Sequence, residues 1–116
     1  MTKLAFVFPG QGSQSVGMMS DWGDFQPIVD DTFDEASTAL SFDLMTMIKE
    51  GPADQLNQTQ NTQPAMLASG VAAFRVWQQL KMPTADIYAG HSLGEYSALV
   101  CAGSLDFSDA IKLVNA

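Results

Sequence analysis

A serine stands between two glycines in the run Gly90-His91-Ser92-Leu93-Gly94, followed by Glu95-Tyr96-Ser97-Ala98-Leu99. This is the G-x-S-x-G pattern of a nucleophile elbow, where a sharp strand-to-helix turn lifts a serine hydroxyl out of a sheet. The chemistry it suits is attack by the Ser92 hydroxyl on an acyl carbonyl. That attack builds an oxyanion, and the backbone N–H of Leu93, at a helix N-terminus, is placed to receive it. Glycines at 90 and 94 let the chain turn without a Cβ clash. An ordinary serine in a strand–helix turn can carry the same five letters, so the surroundings must decide. A second glycine-bearing run, Phe8-Pro9-Gly10-Gln11-Gly12-Ser13-Gln14, lies about eighty residues earlier. It does not read as a dinucleotide loop, because G-x-G-x-x-G would need a glycine where Ser15 stands.

These residues need a sheet and helices to hold them. Leu4 to Phe8 is a short β-prone run stopped by Pro9-Gly10, and Ala85, Ile87, Tyr88 and Ala89 form a second before the elbow. Val16 to about Trp22 suits a short helix. Pro27 can open a longer one, with Val29, Phe33, Ala36 and Leu40 at helical spacing. Asp43 is a candidate cap for a short helix through Ile48, closed by Gly51-Pro52, and Pro52 to Asn57 reads as one more helical turn. Thr62 and Pro64 mark the start of a helix to about Leu80 that is apolar over most of its circumference, the pattern of a central buried helix. A helix over about Leu93 to Ala102 follows the elbow. Asp106 and Asp109 then start an amphipathic helix with Phe107, Ala110, Ile111 and Val114 on one face.

Only two strands are legible, and both precede helices. Two parallel strands cannot cover their own faces and edges, since parallel sheets are built from several strands with helices on both sides. The fold class expected is therefore α/β, as the N-terminal part of a larger domain, with parallel strands and helices, incomplete as a domain.

Composition narrows the function. Of 116 residues, 47% are apolar and 16% charged, so the chain folds rather than staying disordered. The net charge of −8 with five basic residues argues against a nucleic-acid partner. No apolar run reaches membrane-spanning length, and no signal-peptide order is present at the N-terminus, so no membrane partner and a cytoplasmic location are expected. Cys101 is the lone cysteine, which excludes an internal disulfide or a cysteine metal cluster; it reads as a small core residue. The seven methionines read as core filler, and Asp30, Asp31, Asp34 and Glu35 as a solvated helix face. His91 is the lone histidine and, as the immediate neighbour of Ser92, should point away from its hydroxyl.

The two glycine-bearing runs, with Thr62-Gln63-Pro64-Ala65 between them, resemble the malonyl-CoA:acyl carrier protein transacylases of fatty-acid synthesis, and more distantly the acyltransferase domains of polyketide synthases. The resemblance covers the whole chain in order. It implies an α/β-hydrolase-like acyltransferase domain of which residues 1–116 are the N-terminal portion, the small ferredoxin-like subdomain and C-terminal part being absent. It implies a ping-pong transfer of malonyl from malonyl-CoA to the phosphopantetheine thiol of acyl carrier protein, through an ester on Ser92. It gives the backbone N–H groups of Gln11 and Leu93 as the oxyanion hole and places Gln63 near the acyl pocket. The apolar Leu93 is similar to the malonyl-using relatives. No cofactor and no metal are implied, malonyl-CoA being a substrate, and a monomer is expected. The family's catalytic histidine and its carboxylate-binding arginine come from segments after Ala116, so residues 1–116 alone are expected to be inactive. Two alternatives remain open on the residues: a serine esterase or thioesterase using the same elbow, and a non-catalytic truncated product.

Overall fold

The structure, a computed structural model, describes residues 5–8, 23–80, 87–90 and 94–115. Strand β1 is Ala5–Phe8. After a 3₁₀ turn at Gly23–Phe25 come four helices: α1 Gln26–Leu40, α2 Leu44–Glu50, α3 Ala53–Leu56 and α4 Thr59–Gln79. Strand β2 is Ile87–Gly90, and α5 Gly94–Cys101 and α6 Phe107–Asn115 complete the order. The helix expected over Val16 to Trp22 lies outside the described residues.

β1 and β2 pair in parallel with Ala5 opposite Ile87 and Phe8 opposite Gly90. Both strands therefore end side by side, and the chain leaves both at the same end. α5 joins this pair to the helices, packing on β1, β2, α4 and α6. α4 in turn packs on α1, α5 and α6.

One continuous apolar core fills the helical part. It takes Val29, Phe33 and Ala36 from α1, Leu44 and Ile48 from α2, and Leu56 from α3. α4 adds Ala65, Met66, Leu67, Ala68, Val71, Ala72 and Val76, and α6 adds Phe107, Ala110, Ile111 and Val114. The expected apolar face of α6 is thus the face it buries. α4 supplies the most residues because it is apolar nearly all round, which only a helix with neighbours on several sides can satisfy. Buried hydroxyls on these helices turn to local carbonyls: Thr32 Oγ1 donates to the Ile28 carbonyl at 2.9 Å, Ser69 Oγ to Ala65 at 2.7 Å, and Thr62 Oγ1 to Leu56. Among the described residues no buried side-chain nitrogen or oxygen lacks a partner.

Helix ends follow their capping residues. Asp43 caps α2, its carboxylate accepting from the Thr46 backbone N–H at 3.1 Å and from Thr46 Oγ1 at 2.7 Å. These bonds hold the Asp43 carboxyl below its ordinary value of 3.8. α1 ends at Ser41, a non-glycine residue with φ of 66°. α5 ends in a Schellman turn: Ser104 N–H donates to the Leu99 carbonyl and Gly103 N–H to that of Val100, with Gly103 at φ of 82°.

One expectation needs correction. α4 begins at Thr59, three residues before Thr62, so Pro64 sits inside the helix rather than at its first position. The helix starts earlier because Gln58 is extended and its carbonyl takes the N–H groups of Asn61 and Thr62 at 2.9 and 2.8 Å. Of the methionines, Met45, Met47 and Met66 are described: Met66 is buried in the core, Met45 packs half-buried against it, and Met47 is half-buried on α2.

Candidate active site

Ser92, Gln11, Leu93 and His91 lie outside the described residues. The elements on either side of them are described. Gly90 is the last residue of β2 and Gly94 the first of α5, so the serine run has a strand before it and a helix after it. Gly94 is buried, with Ser97 and Ala98, on the side of α5 that packs inward. The glycine run leaves from Phe8, the residue paired with Gly90. Parallel pairing in this register is what brings two segments distant in sequence to a common starting point.

Gln63 is the fifth residue of α4 and is half-buried, between the buried Thr62 and Pro64. Side chains from three places hold the turn that carries it. Thr62 Oγ1 reaches back to the Leu56 carbonyl and Asn61 Nδ2 to the Gln55 carbonyl at 2.9 Å. Asn115 Nδ2, at the end of α6, donates to the Gln60 carbonyl at 2.8 Å. The sequence reading missed Asn115, although a proline six residues into a helix signals a carbonyl in search of a donor.

The remaining candidates of the described part have structural roles. Cys101 is half-buried in a cleft of about 260 Å³ beside Val71, Phe74 and Val100. Burial pushes its thiol up to about 12, so it stays protonated at neutral pH and is no nucleophile there. On the acidic face, Asp31, Asp34 and Glu35 are exposed, while Asp30 accepts from Gln26 Nε2 at 2.9 Å. Glu35 pairs with Arg75 at 3.0 Å. No cluster of three or more metal-ligating side chains occurs among the described residues, and no described helix is long and apolar enough to cross a membrane.

A strand leads into the G-x-S-x-G run and a helix follows it, and comparison with known proteins gives the family. The acyl transferase domain matches residues 5–116, and the chain belongs to that family. The chain is 59% identical over 114 residues to the malonyl CoA-acyl carrier protein transacylase of Escherichia coli K12, covering 98% of this chain and 37% of the relative. The crystal structure of an acyl carrier protein S-malonyltransferase from Vibrio cholerae superposes with a TM-score of 0.95 at 57% identity, over 98% of this chain and 37% of that one. A malonyl-transacylase in complex with its type II polyketide-synthase acyl carrier protein superposes equally well, at 53% identity and the same coverage. The chain thus spans a little over a third of the length of the relatives it matches.

Proposed function

We propose that residues 1–116 are the N-terminal portion of an acyltransferase domain that moves malonyl from malonyl-CoA to acyl carrier protein. The observation that carries this reading is the pairing of Phe8 with Gly90, which starts the FPGQGSQ and GHSLG segments from adjacent strand ends. Relatives named as malonyl transacylases support the substrate and the carrier.

In the proposed reaction Ser92 Oγ attacks the thioester carbonyl of malonyl-CoA. The backbone N–H groups of Gln11 and Leu93 take the oxyanion, the C–S bond breaks, and the coenzyme A thiol leaves with a proton. The carrier's phosphopantetheine thiol then attacks the Ser92 ester, and Ser92 recovers its proton as the C–O bond breaks. Loss of one oxyanion donor costs on the order of 10²–10³ in rate in comparable sites. Gln63 lies beside the acyl group. No cofactor takes part. The fold is α/β-hydrolase-like, and the protein works as a cytoplasmic monomer. Residues 1–116 hold one histidine, His91, adjacent to the nucleophile, so they supply nucleophile and oxyanion donors without a separate base.

Intact mass before and after incubation with malonyl-CoA tests this reading, on residues 1–116 and on a longer enzyme that contains them. A malonyl adduct on Ser92 in the longer enzyme, lost in Ser92→Ala, is the expected result, with little or no turnover by residues 1–116 alone. An adduct that survives Ser92→Ala refutes the nucleophile.

A further inference from the structure

Pro64 has no N–H, and in an α-helix the residue at that position donates to the carbonyl four residues earlier, here Gln60. The Gln60 carbonyl has therefore lost its regular helical donor. Asn115 Nδ2, on the last turn of α6, donates to that same carbonyl at 2.8 Å. A proline one residue past Gln63 thus opens a gap in the helix ladder, and a side chain 55 residues away in sequence fills it.

We propose that Asn115 is a positioning residue for Gln63: by holding the Gln60 carbonyl it fixes the turn of α4 that presents Gln63 to the acyl group. This rests on the reading of Gln63 given under the proposed function. Three features favour it over a chance surface contact. The bond is made to the carbonyl that Pro64 orphans rather than to a neighbour. The same turn is also held by Asn61 to Gln55 and Thr62 to Leu56, so the Asn115 bond is the third side-chain bond on it. Asn115 also belongs to a helix anchored by the buried Ile111 and Val114, which gives it a fixed base from which to act.

The test places residues 1–116 in frame ahead of the remaining sequence of the Escherichia coli relative. It compares Asn115→Asp, Asn115→Ala, Pro64→Ala and Gln63→Ala, alone and combined. Asn115→Asp keeps the shape but cannot donate. Two readouts are taken: amide hydrogen exchange of the peptide spanning 58–66, and kcat and KM for malonyl-CoA. Both Asn115 variants should speed exchange in that peptide about threefold to tenfold, the range for one lost hydrogen bond. They should raise KM by a similar factor with kcat changed less. Adding Asn115→Ala to Gln63→Ala should bring no further loss of kcat/KM. Pro64→Ala restores a backbone donor for Gln60 and should return Asn115→Ala to the exchange and KM of Pro64→Ala alone. The inference is overturned if Asn115→Asp leaves either exchange or KM unchanged, or if its effect on kcat/KM persists in full without Gln63. An unsubstituted fusion that folds but transfers no malonyl counts against the proposed function instead. In that event the exchange data still decide whether Asn115 holds the turn, and Asn115→Asp without faster exchange sinks the inference on its own.

Discussion

Replacing Arg75 by methionine keeps much of the side chain's length and removes its charge, and the structure sets the cost. The guanidinium of Arg75, on α4, meets three partners. It pairs with Glu35 at 3.0 Å, donates to Thr32 Oγ1 at 3.2 Å, and lies 5.0 Å from the centre of the Phe107 ring. One side chain thereby ties α1, α4 and α6 together. The ion pair is substantially exposed, 33% for Arg75 and 42% for Glu35, so it is worth about 0.2–1 kcal/mol. The contact over Phe107 adds about 0.5–1 kcal/mol. The bond to Thr32 falls at the low end of its range, about 0.5 kcal/mol, because the Thr32 hydroxyl keeps its own bond to Ile28 when Arg75 is gone. Arg75→Met should therefore destabilise the fold by about 1.5–2 kcal/mol. With an m-value of about 1.2 kcal/mol/M, the urea midpoint should fall by about 1.5 M. The assay is urea unfolding followed by circular dichroism, at low salt and at about 0.5 M NaCl, where screening removes most of the exposed pair. The ring contact and the Thr32 bond should persist, so about two thirds of the loss should remain in salt. A loss below about 0.5 kcal/mol, or one that vanishes in salt, would show that the exposed pair is all that Arg75 contributes.

Other consequences are equally open to measurement. Asp43→Ala should cost about 1 kcal/mol at pH 7 through the lost cap. Because the folded carboxyl titrates below its ordinary value, this contribution is complete above about pH 4 and fades as pH falls through the lowered value; a gap to wild type that stays constant down to pH ~2 refutes the assignment. Cys101, with its thiol raised to about 12, should react with iodoacetamide at pH 8 roughly a hundredfold or more slower than free cysteine. Its stability contribution is present below the unfolded thiol's pKa and is lost as pH rises toward 12, so unfolding at high pH should be milder in Cys101→Ala. Gly103→Ala should cost about 1–2 kcal/mol, since a Cβ there meets no atom within 4 Å and only its left-handed backbone is strained. A neutral result in thermal unfolding would mean the α5 turn relaxes.

Much of the fold was legible where the signal is local. Asp43 ahead of the short helix through Ile48 announced its cap, Phe107, Ala110, Ile111 and Val114 announced a buried face, and the apolar circumference of α4 announced a central helix. The start of α4 was not legible from Pro64, because a proline reads as a first-turn residue unless some distant donor relieves the carbonyl it orphans. Arg75 was silent for the same reason. Its partners lie 32, 40 and 43 residues away, and no periodicity encodes a contact made only in three dimensions. Cys101 read as a core residue and is half-buried, its cleft lined by residues of α4 and the end of α5. Of the candidate site, the structure describes the strand before Ser92, the helix after it and the half-buried Gln63 on α4. Ser92, Gln11 and Leu93 fall outside the described residues, and their roles rest on motif and family.

The parallel pairing of β1 with β2 also governs the order in which the chain can fold. An antiparallel pair can close through a two-residue turn, but this pair joins residues about eighty positions apart, with α1 to α4 lying between them. The entropy of closing that loop is met only after the intervening helices have collapsed into a compact body, which makes the strand pairing a late, non-local event. On a ribosome, β1 would emerge first and wait unpaired until β2 had been synthesised. Phe8 and Gly90, from which the two glycine-bearing runs start, would come together only with that late pairing.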